Sequence, residues 1–272
     1  MKTEVNVVCP AANIWAVMQE PYLRGHSDWL LEKHDFFARV FTHHPAPGPK
    51  YIVSHPALPW YINKTYDQLI SMPPVTVKKM KKLSWVVGNA NDLPGHAKRY
   101  ALLKAVQEDR TLDIELFGRA IQPIDDKWDA LAPYQYSLAI ENSSSSDYWT
   151  EKVADCFLAR TIPIYHGCVN LSDYFPKESF IWIDIKDPRA CVKKIKKIIS
   201  QDDLAKRLPA LEKARELVLE HYQLFPFIAD KIARDNLPQK TKQLFVIPPY
   251  QRSLKAKINH RLYKLKKIAH ML

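Results

Sequence analysis

The residues with the most chemical content fall in one stretch, Tyr136 to Lys152, which reads YSLAIENSSSSDYWTEK. An apolar run gives way to small polar residues, then to Thr150-Glu151-Lys152 and a segment patterned as a helix. Asp147 and Thr150 are both of a type that caps helices. The unsatisfied N–H groups of a helix start attract phosphate. Lys152 adds a positive charge in the first turn, and Glu151 offers an acceptor for hydroxyl groups. An acid beside a base at such a mouth fits a ligand carrying both a diphosphate and a sugar. The same pair serves equally as an ordinary solvated pair, so spacing alone leaves both uses open.

The elements around this stretch alternate. Strands are expected at Lys82 to Gly88, Leu112 to Phe117, Tyr136 to Ile140, Ile162 to Tyr165 and Phe180 to Ile185. Helices are expected at Ala97 to Val106, Thr150 to Ala159, Ala190 to Ile199 and Asp202 to Tyr222, the last with a break at Pro209. Alternation of this kind predicts a mostly parallel sheet covered on both faces, with ligands at the carboxyl ends of the strands. Ahead of it lie short strand candidates at Val5 to Val8, Asn13 to Met18, Phe36 to Phe41 and Lys50 to Val53, a small α/β unit with much loop. Met72-Pro73-Pro74 and the basic run Lys78 to Lys82 read as a linker, with a solvated loop inside one domain as the other reading. The expected domains are therefore 1–78, 79–235 and a tail, 236–272.

Composition limits the functional classes. At 272 residues the chain has room for about two domains. With 47 % hydrophobic and 25 % charged residues it is globular, not disordered. A net charge of +11 favours anionic partners without choosing among a nucleotide, a nucleic acid and a membrane surface. Cys9, Cys156, Cys168 and Cys191 stand far apart, which argues against a disulfide framework or a cysteine zinc site. The opening MKTEVNVVCPAANIW is too polar for a signal peptide, and no apolar run reaches transmembrane length. A cytoplasmic protein with reduced thiols is expected. Its aromatic residues do not interleave with Lys and Arg as a nucleic-acid stacking surface requires, so no nucleic-acid partner is expected.

Several blocks together carry a resemblance. Ile140-Glu141-Asn142-Ser143, Tyr148-Trp149-Thr150-Glu151-Lys152, Asp155, Thr161-Ile162-Pro163-Ile164-Tyr165-His166-Gly167 and Tyr174-Phe175-Pro176-Lys177-Glu178-Ser179-Phe180 occur in that order. The stretch from about Lys82 to Asp187 thereby resembles the α1,3-fucosyltransferase family, glycosyltransferase family 10, as a divergent, bacterial-type member. The resemblance implies a GT-B type α/β fold, two Rossmann-like domains facing a cleft. It further implies an inverting transfer of fucose from GDP-fucose to a hydroxyl of a surface glycan, such as a lipopolysaccharide O-antigen. Donor-site roles carry over to Asn142, Tyr148, Glu151 and Lys152, with Glu151 on donor hydroxyls and Lys152 on the diphosphate. Arg99, followed by Leu102 and Val106, matches a family arginine and is the second diphosphate clamp; a helix surface residue is the alternative. Another nucleotide-sugar, or binding without catalysis, are the alternative functions.

The family base does not carry over. Its glutamate is absent from Asp35 to His44, where His43 or His44 is of a type to take a proton near neutral pH. Glu20, at the end of an apolar strand, is the other candidate and ranks ahead of His43; both histidines also read as plain loop residues. No Asp-x-Asp arrangement is present, and neither a metal nor a cofactor beyond the donor substrate is expected. From Gln251 to Leu272 there are seven Lys or Arg residues and no acid, with Leu254, Ile258, Leu262, Leu265 and Ile268 at helical spacing. Such a helix either lies on an anionic membrane surface, making the protein peripheral on the inner face of the plasma membrane, or packs back on its own protein.

Overall fold

The computed structural model describes residues 3–44, 46–73, 79–88, 93–201, 204–234 and 241–269. The chain divides into two compact units, Met1–Ala57 with Lys231–Leu272, and Leu58–Asp230. The boundary therefore falls some twenty residues before the expected 78/79 border, and the expected tail is part of the first unit. Residues 74–78, at the heart of the expected linker, lie outside the described residues.

The first unit opens with β1 (Val5–Cys9), β2 (Trp15–Val17), β3 (Arg39–Thr42) and β4 (Tyr51–Val53). The last three form a parallel sheet in the order β2-β3-β4, with Ala16 opposite Val40 and Phe41 opposite Ile52. Val40 and Phe41 on the central strand are fully buried, and Trp15 meets Phe41 edge to face. No α-helix crosses between β2 and β3. Pro21 and Gly25, the latter at φ +80°, break any helical run there. A turn stapled by Ser27 and Asp28 takes its place: Leu23 N donates to Ser27 Oγ, and Gly25 N and Tyr22 Oη donate to Asp28 Oδ1. The unit thus keeps parallel strands without the crossover helix of a full Rossmann-like domain.

The second unit contains α1 (Tyr66–Ser71), β5 (Lys81–Val86), α2 (Pro94–Glu108), β6 (Glu115–Phe117), β7 (Tyr134–Ile140), α3 (Glu151–Leu158), β8 (Ile162–His166) and β9 (Ile181–Trp182), then α4 (Pro188–Gln201), α5 (Leu204–Leu217) and most of α6 (Leu224–Arg234), whose last residues, from Lys231, count with the first unit. Its five strands are all parallel, ordered β6-β5-β7-β8-β9. The order reverses between β5 and β7, and in open α/β sheets that switch point is where ligands bind. Every residue of β7 is buried, as expected of a strand covered on both faces. Around it Trp85, Leu102, Phe157 and Tyr165 fill the core. The strand expected over Phe180 to Ile185 narrows to two residues. The helix expected to break at Pro209 runs through it and ends instead in a π-helical turn, Val218–Tyr222.

The chain returns to the first unit as β10 (Gln243–Ile247), antiparallel to β1, and α7 (Leu254–Ala269). Ser253 caps α7 by accepting from Ala256 N at 3.1 Å. The helix is anchored to the β2–β3 turn: Asn259 Nδ2 donates to Asp28 Oδ2 at 2.7 Å, the rings of His260 and Tyr263 lie against His26, and Ala256 is buried. Just before the helix, Tyr250 and Ser253 donate to Glu32.

Candidate nucleotide-sugar site at the sheet switch point

The two strands flanking the switch point lead into the two segments that carry the expected donor residues. After β5, α2 begins Pro94-Gly95. A Cβ on Gly95 would stand 1.7 Å from the carbonyl oxygen of Asn142, so the helix start is pressed directly on the loop that follows β7. One turn later Arg99 is buried, and its Nη1 donates to Asn142 Oδ1. Its Nε is also buried and has no hydrogen-bond partner among the described residues. Burial pulls the guanidinium pKa down, against the charge of Glu141. Arg99 is thus an inward-facing cation and not a helix surface residue.

Glu141 is the hub of the cluster. It follows a wholly buried strand and is itself 2 % exposed. A carboxylate in such a place needs charged or donating partners, and it has three. Thr150 donates from its N at 2.8 Å and from Oγ1 at 2.8 and 2.9 Å, and Lys152 Nζ stands 3.1 Å from Oε2. A Cβ on Gly167 would lie 2.4 Å from the Glu141 Cγ, so the turn after β8 closes over the same side chain. Thr150, not Asp147, caps α3, its Oγ1 accepting from Lys152 N at 3.3 Å. Asp147 adopts φ +60°, receives Tyr174 Oη and Asn170 Nδ2 on its carboxylate, and shapes the serine loop instead. Ser144 Oγ ties that loop to the Gly167 carbonyl.

Lys152 is the second cation of this arrangement, its ammonium shared among Glu141, Thr150 and Glu151. Burial works against its charge, yet Glu141 and Glu151 hold its pKa above the ordinary lysine value. Glu151 is pushed up by burial and pulled down further by Lys152 and Lys127, so its carboxylate stays ionised well below neutral pH. Asp155 is fully buried and accepts from Lys127 Nζ at 2.7 Å and from Tyr61 N at 3.1 Å. It fixes α3 to its surroundings, the structural role its position in the helix favours. Tyr148 lies in the same loop with its side chain buried, and Trp149 packs among Tyr174, Phe175 and Tyr222.

Arg99, Asn142, Glu151 and Lys152, the residues to which the resemblance carries donor-site roles, therefore converge around the ends of β5 and β7. Sequence reasoning passed over Glu141 as a site residue. The signal was available: an ionisable side chain directly after five strand residues that all read as core.

Glu20, His43 and His44 belong to the first unit and gather at the carboxyl ends of its parallel strands. Glu20 follows β2 and its side chain is exposed, whereas His43 and His44 follow β3 and are buried. His44 Nε2 lies 3.1 Å from the Glu20 carbonyl oxygen, and the two imidazoles are 3.9 Å apart between centroids. Burial lowers the His44 pKa, opposed by the bond to Glu20. After β4, His55 is buried at the same sheet end, a further histidine that spacing did not single out.

Comparison with known proteins gives this arrangement a lineage. Over 149 residues the chain is 30% identical to human "4-galactosyl-N-acetylglucosaminide 3-alpha-L-fucosyltransferase 9", a stretch that takes in 53% of this chain and 37% of the relative. It is 31% identical over 144 residues to rat "Alpha-(1,3)-fucosyltransferase 4", covering 50% of this chain and 30% of that one. The chain thus spans about a third of the length of these curated relatives. A crystal structure of an alpha1,3-fucosyltransferase with GDP-fucose superposes with a TM-score of 0.50 at 14% identity, over 79% of this chain and 78% of the other. That likeness supports an α/β fold of the GT-B type. The family model described as "Glycosyltransferase family 10 (fucosyltransferase) C-term" matches residues 76–223, more than half of the chain and every residue of the cluster around Glu141. The chain belongs to glycosyltransferase family 10, the fucosyltransferase family.

Proposed function

We propose that the protein is an inverting glycosyltransferase that moves fucose from GDP-fucose to a hydroxyl of a surface glycan, with a lipopolysaccharide O-antigen or its lipid-linked precursor as the acceptor class. The observation that carries this reading is the pair of cations, the buried Arg99 and the half-buried Lys152, set against Asn142 and Glu141 at the switch point. As the bond from the anomeric carbon to the diphosphate breaks, the sugar gains oxocarbenium character and the departing diphosphate gains negative charge. Preorganised cations stabilise that charge far better in a desolvated site than in water. Lys152 keeps its charge throughout the neutral range, and Arg99 brings a buried Nε–H that a phosphate oxygen satisfies. Glu151 accepts from donor hydroxyls.

The attacking acceptor hydroxyl must lose its proton. In this reading the first unit supplies the proton acceptor from Glu20, His43 and His44. The test is calorimetric titration with GDP, GDP-fucose, UDP and CMP, repeated on Lys152→Ala. Micromolar GDP-fucose binding that the variant loses supports the reading, together with fucose transfer in an acceptor screen. Absence of guanine-nucleotide binding overturns the fucosyl assignment, and selective UDP or CMP binding replaces the sugar while keeping the reaction class.

A further inference from the structure

We infer that α7 is a docking helix for an anionic lipid surface. The sequence leaves two uses open for its apolar stripe, and the packing separates them, because the helix is held to its unit by a different face. Ala256 is buried, and Asn259, His260 and Tyr263 meet Asp28, His26 and the backbone at Gly25. Leu254, Ile258, Leu262 and Leu265 stand 75%, 48%, 49% and 62% exposed. Leu254 and Tyr263 are nine residues apart, which at about 100° per residue puts them on opposite sides of the helix. The apolar stripe is therefore the outward face.

Charge identifies the occupant. At the same angular step Lys255 and Lys266 border one side of the stripe, and Lys257, Arg261 and Lys264 the other; all five are exposed. From Gln251 onward there is no acidic residue to balance them. A second copy of the same helix would bring cation against cation. An anionic bilayer supplies both partners at once, an acyl boundary for the leucines and headgroup charge for the flanking cations. No described helix is long and apolar enough to cross a membrane. A helix of this kind lies in the interface plane with its stripe sunk about 5–10 Å.

The full chain is mixed with large vesicles of phosphatidylcholine alone, and with vesicles holding about a third phosphatidylglycerol, at about 0.1 M salt, then sedimented. The protein is expected to pellet with the anionic vesicles, stay in solution with the neutral ones, and dissociate as salt rises. Ile258→Gln with Leu262→Gln lowers the partition coefficient more than about tenfold. Lys255→Gln with Lys266→Gln lowers it about twenty-five-fold, roughly fivefold per cation. These side chains are exposed, so the melting temperature and GDP binding stay unchanged. Protein that remains in solution with anionic vesicles, or binding untouched by the Ile258/Leu262 pair, overturns the inference. So does a dimer, seen by sedimentation velocity, that the same pair dissolves. None of these outcomes depends on which nucleotide the second unit binds.

Discussion

The ammonium of Lys152 lies 3.1 Å from a carboxylate oxygen of Glu141 that is completely buried, and both groups share the hydroxyl of Thr150. The pair links the end of β7 to the first turn of α3. A lysine in a first helical turn ordinarily swings into solvent and faces the unfavourable end of the helix dipole. Here the Glu141 carboxylate occupies the helix start, accepting Thr150 N–H, and its charge holds the Lys152 side chain over the same point. The helix N-terminus and the Lys152 ammonium are thus gathered at one point, the cation aimed by a residue from another element.

A double-mutant cycle checks this coupling. Lys152→Met leaves Glu141 buried with only Thr150 as donor, and Glu141→Gln leaves Lys152 without its main counter-ion. Breaking a buried pair on one side costs about 3–5 kcal/mol. The interaction energy in urea unfolding is expected at about 1–3 kcal/mol. Lys152→Met should weaken GDP binding more than about tenfold through the lost charge-assisted bond. Additive single variants would show that Lys152 is placed by its helix alone.

Two glycines near the switch point should respond in opposite ways to alanine. A Cβ on Gly95 meets the Asn142 carbonyl oxygen at 1.7 Å, whereas one on Gly88 has no atom of the described residues within 4 Å. Gly95→Ala must push α2 off the β7 loop, separating Arg99 from Asn142. A destabilisation of about 1–3 kcal/mol is expected, about 2–12 °C in melting temperature, with weaker GDP binding. Gly88→Ala should change either quantity little. Thermal melts of both variants, with and without GDP, decide the matter.

The alternation of strands and helices from Lys82 onward was legible because both faces of the second sheet are covered, so buried runs and amphipathic runs follow each other cleanly. Thr150 as a cap was legible for local reasons, since a cap acts over two or three residues, whereas the direction of Lys152 was not, because Glu141 of another element sets it. Glu141 was not singled out, because its partners come from nine and eleven positions away. In the first unit the missing crossover helix was not visible: Ser27 and Asp28 staple a turn by side-chain bonds that carry no periodicity. The domain border fell early, and β10 went unread, because β10 pairs with β1 across more than two hundred residues. The Leu254 to Leu265 stripe was visible at once, yet its direction was not. That depends on Asn259 and Tyr263 finding Asp28 and His26.

Lys79 should make stability depend on alkaline pH. Its ammonium donates to Ala159 O at 2.9 Å and Thr161 Oγ1 at 2.7 Å. Burial lowers its pKa to about 7, with the nearby Arg160 acting in the same direction and Cys156 against it. The unfolded lysine keeps its proton to about pH 10.4. Between about pH 7 and 10 the unfolded chain therefore binds more protons, and stability rises with pH by at most about 1.4 kcal/mol per unit from this group. The cost of charging it is complete below pH 7. Urea unfolding of wild type and Lys79→Met across that range reads the slope as their difference. A difference that is flat with pH would show that the folded lysine keeps its proton.

Under the proposed reading, in which the first unit supplies the proton acceptor, geometry favours His44 among the three candidates. A carbonyl oxygen only accepts, so the 3.1 Å contact to Glu20 O places the proton of neutral His44 on Nε2 and the lone pair on Nδ1. Nδ1 makes no hydrogen bond among the described residues. The imidazole is thereby held in one tautomer, by the same second-partner logic that orients catalytic histidines elsewhere. Burial lowers its pKa, so it is neutral and able to accept at pH 7. Glu20 contributes its backbone carbonyl to this arrangement, while its carboxylate is exposed. His44→Gln should leave the GDP-fucose dissociation constant within about twofold and lower kcat by about 10²–10⁴, the range that general-base catalysis supplies. Glu20→Gln keeps the carbonyl and should keep most of the turnover, against the first place among the candidates that its position after an apolar strand gives Glu20. The wild-type rate should fall only below the ordinary histidine range as pH drops. Loss of turnover in Glu20→Gln with His44→Gln still active would move the proton to the carboxylate and reduce His44 to a brace for the β2 end.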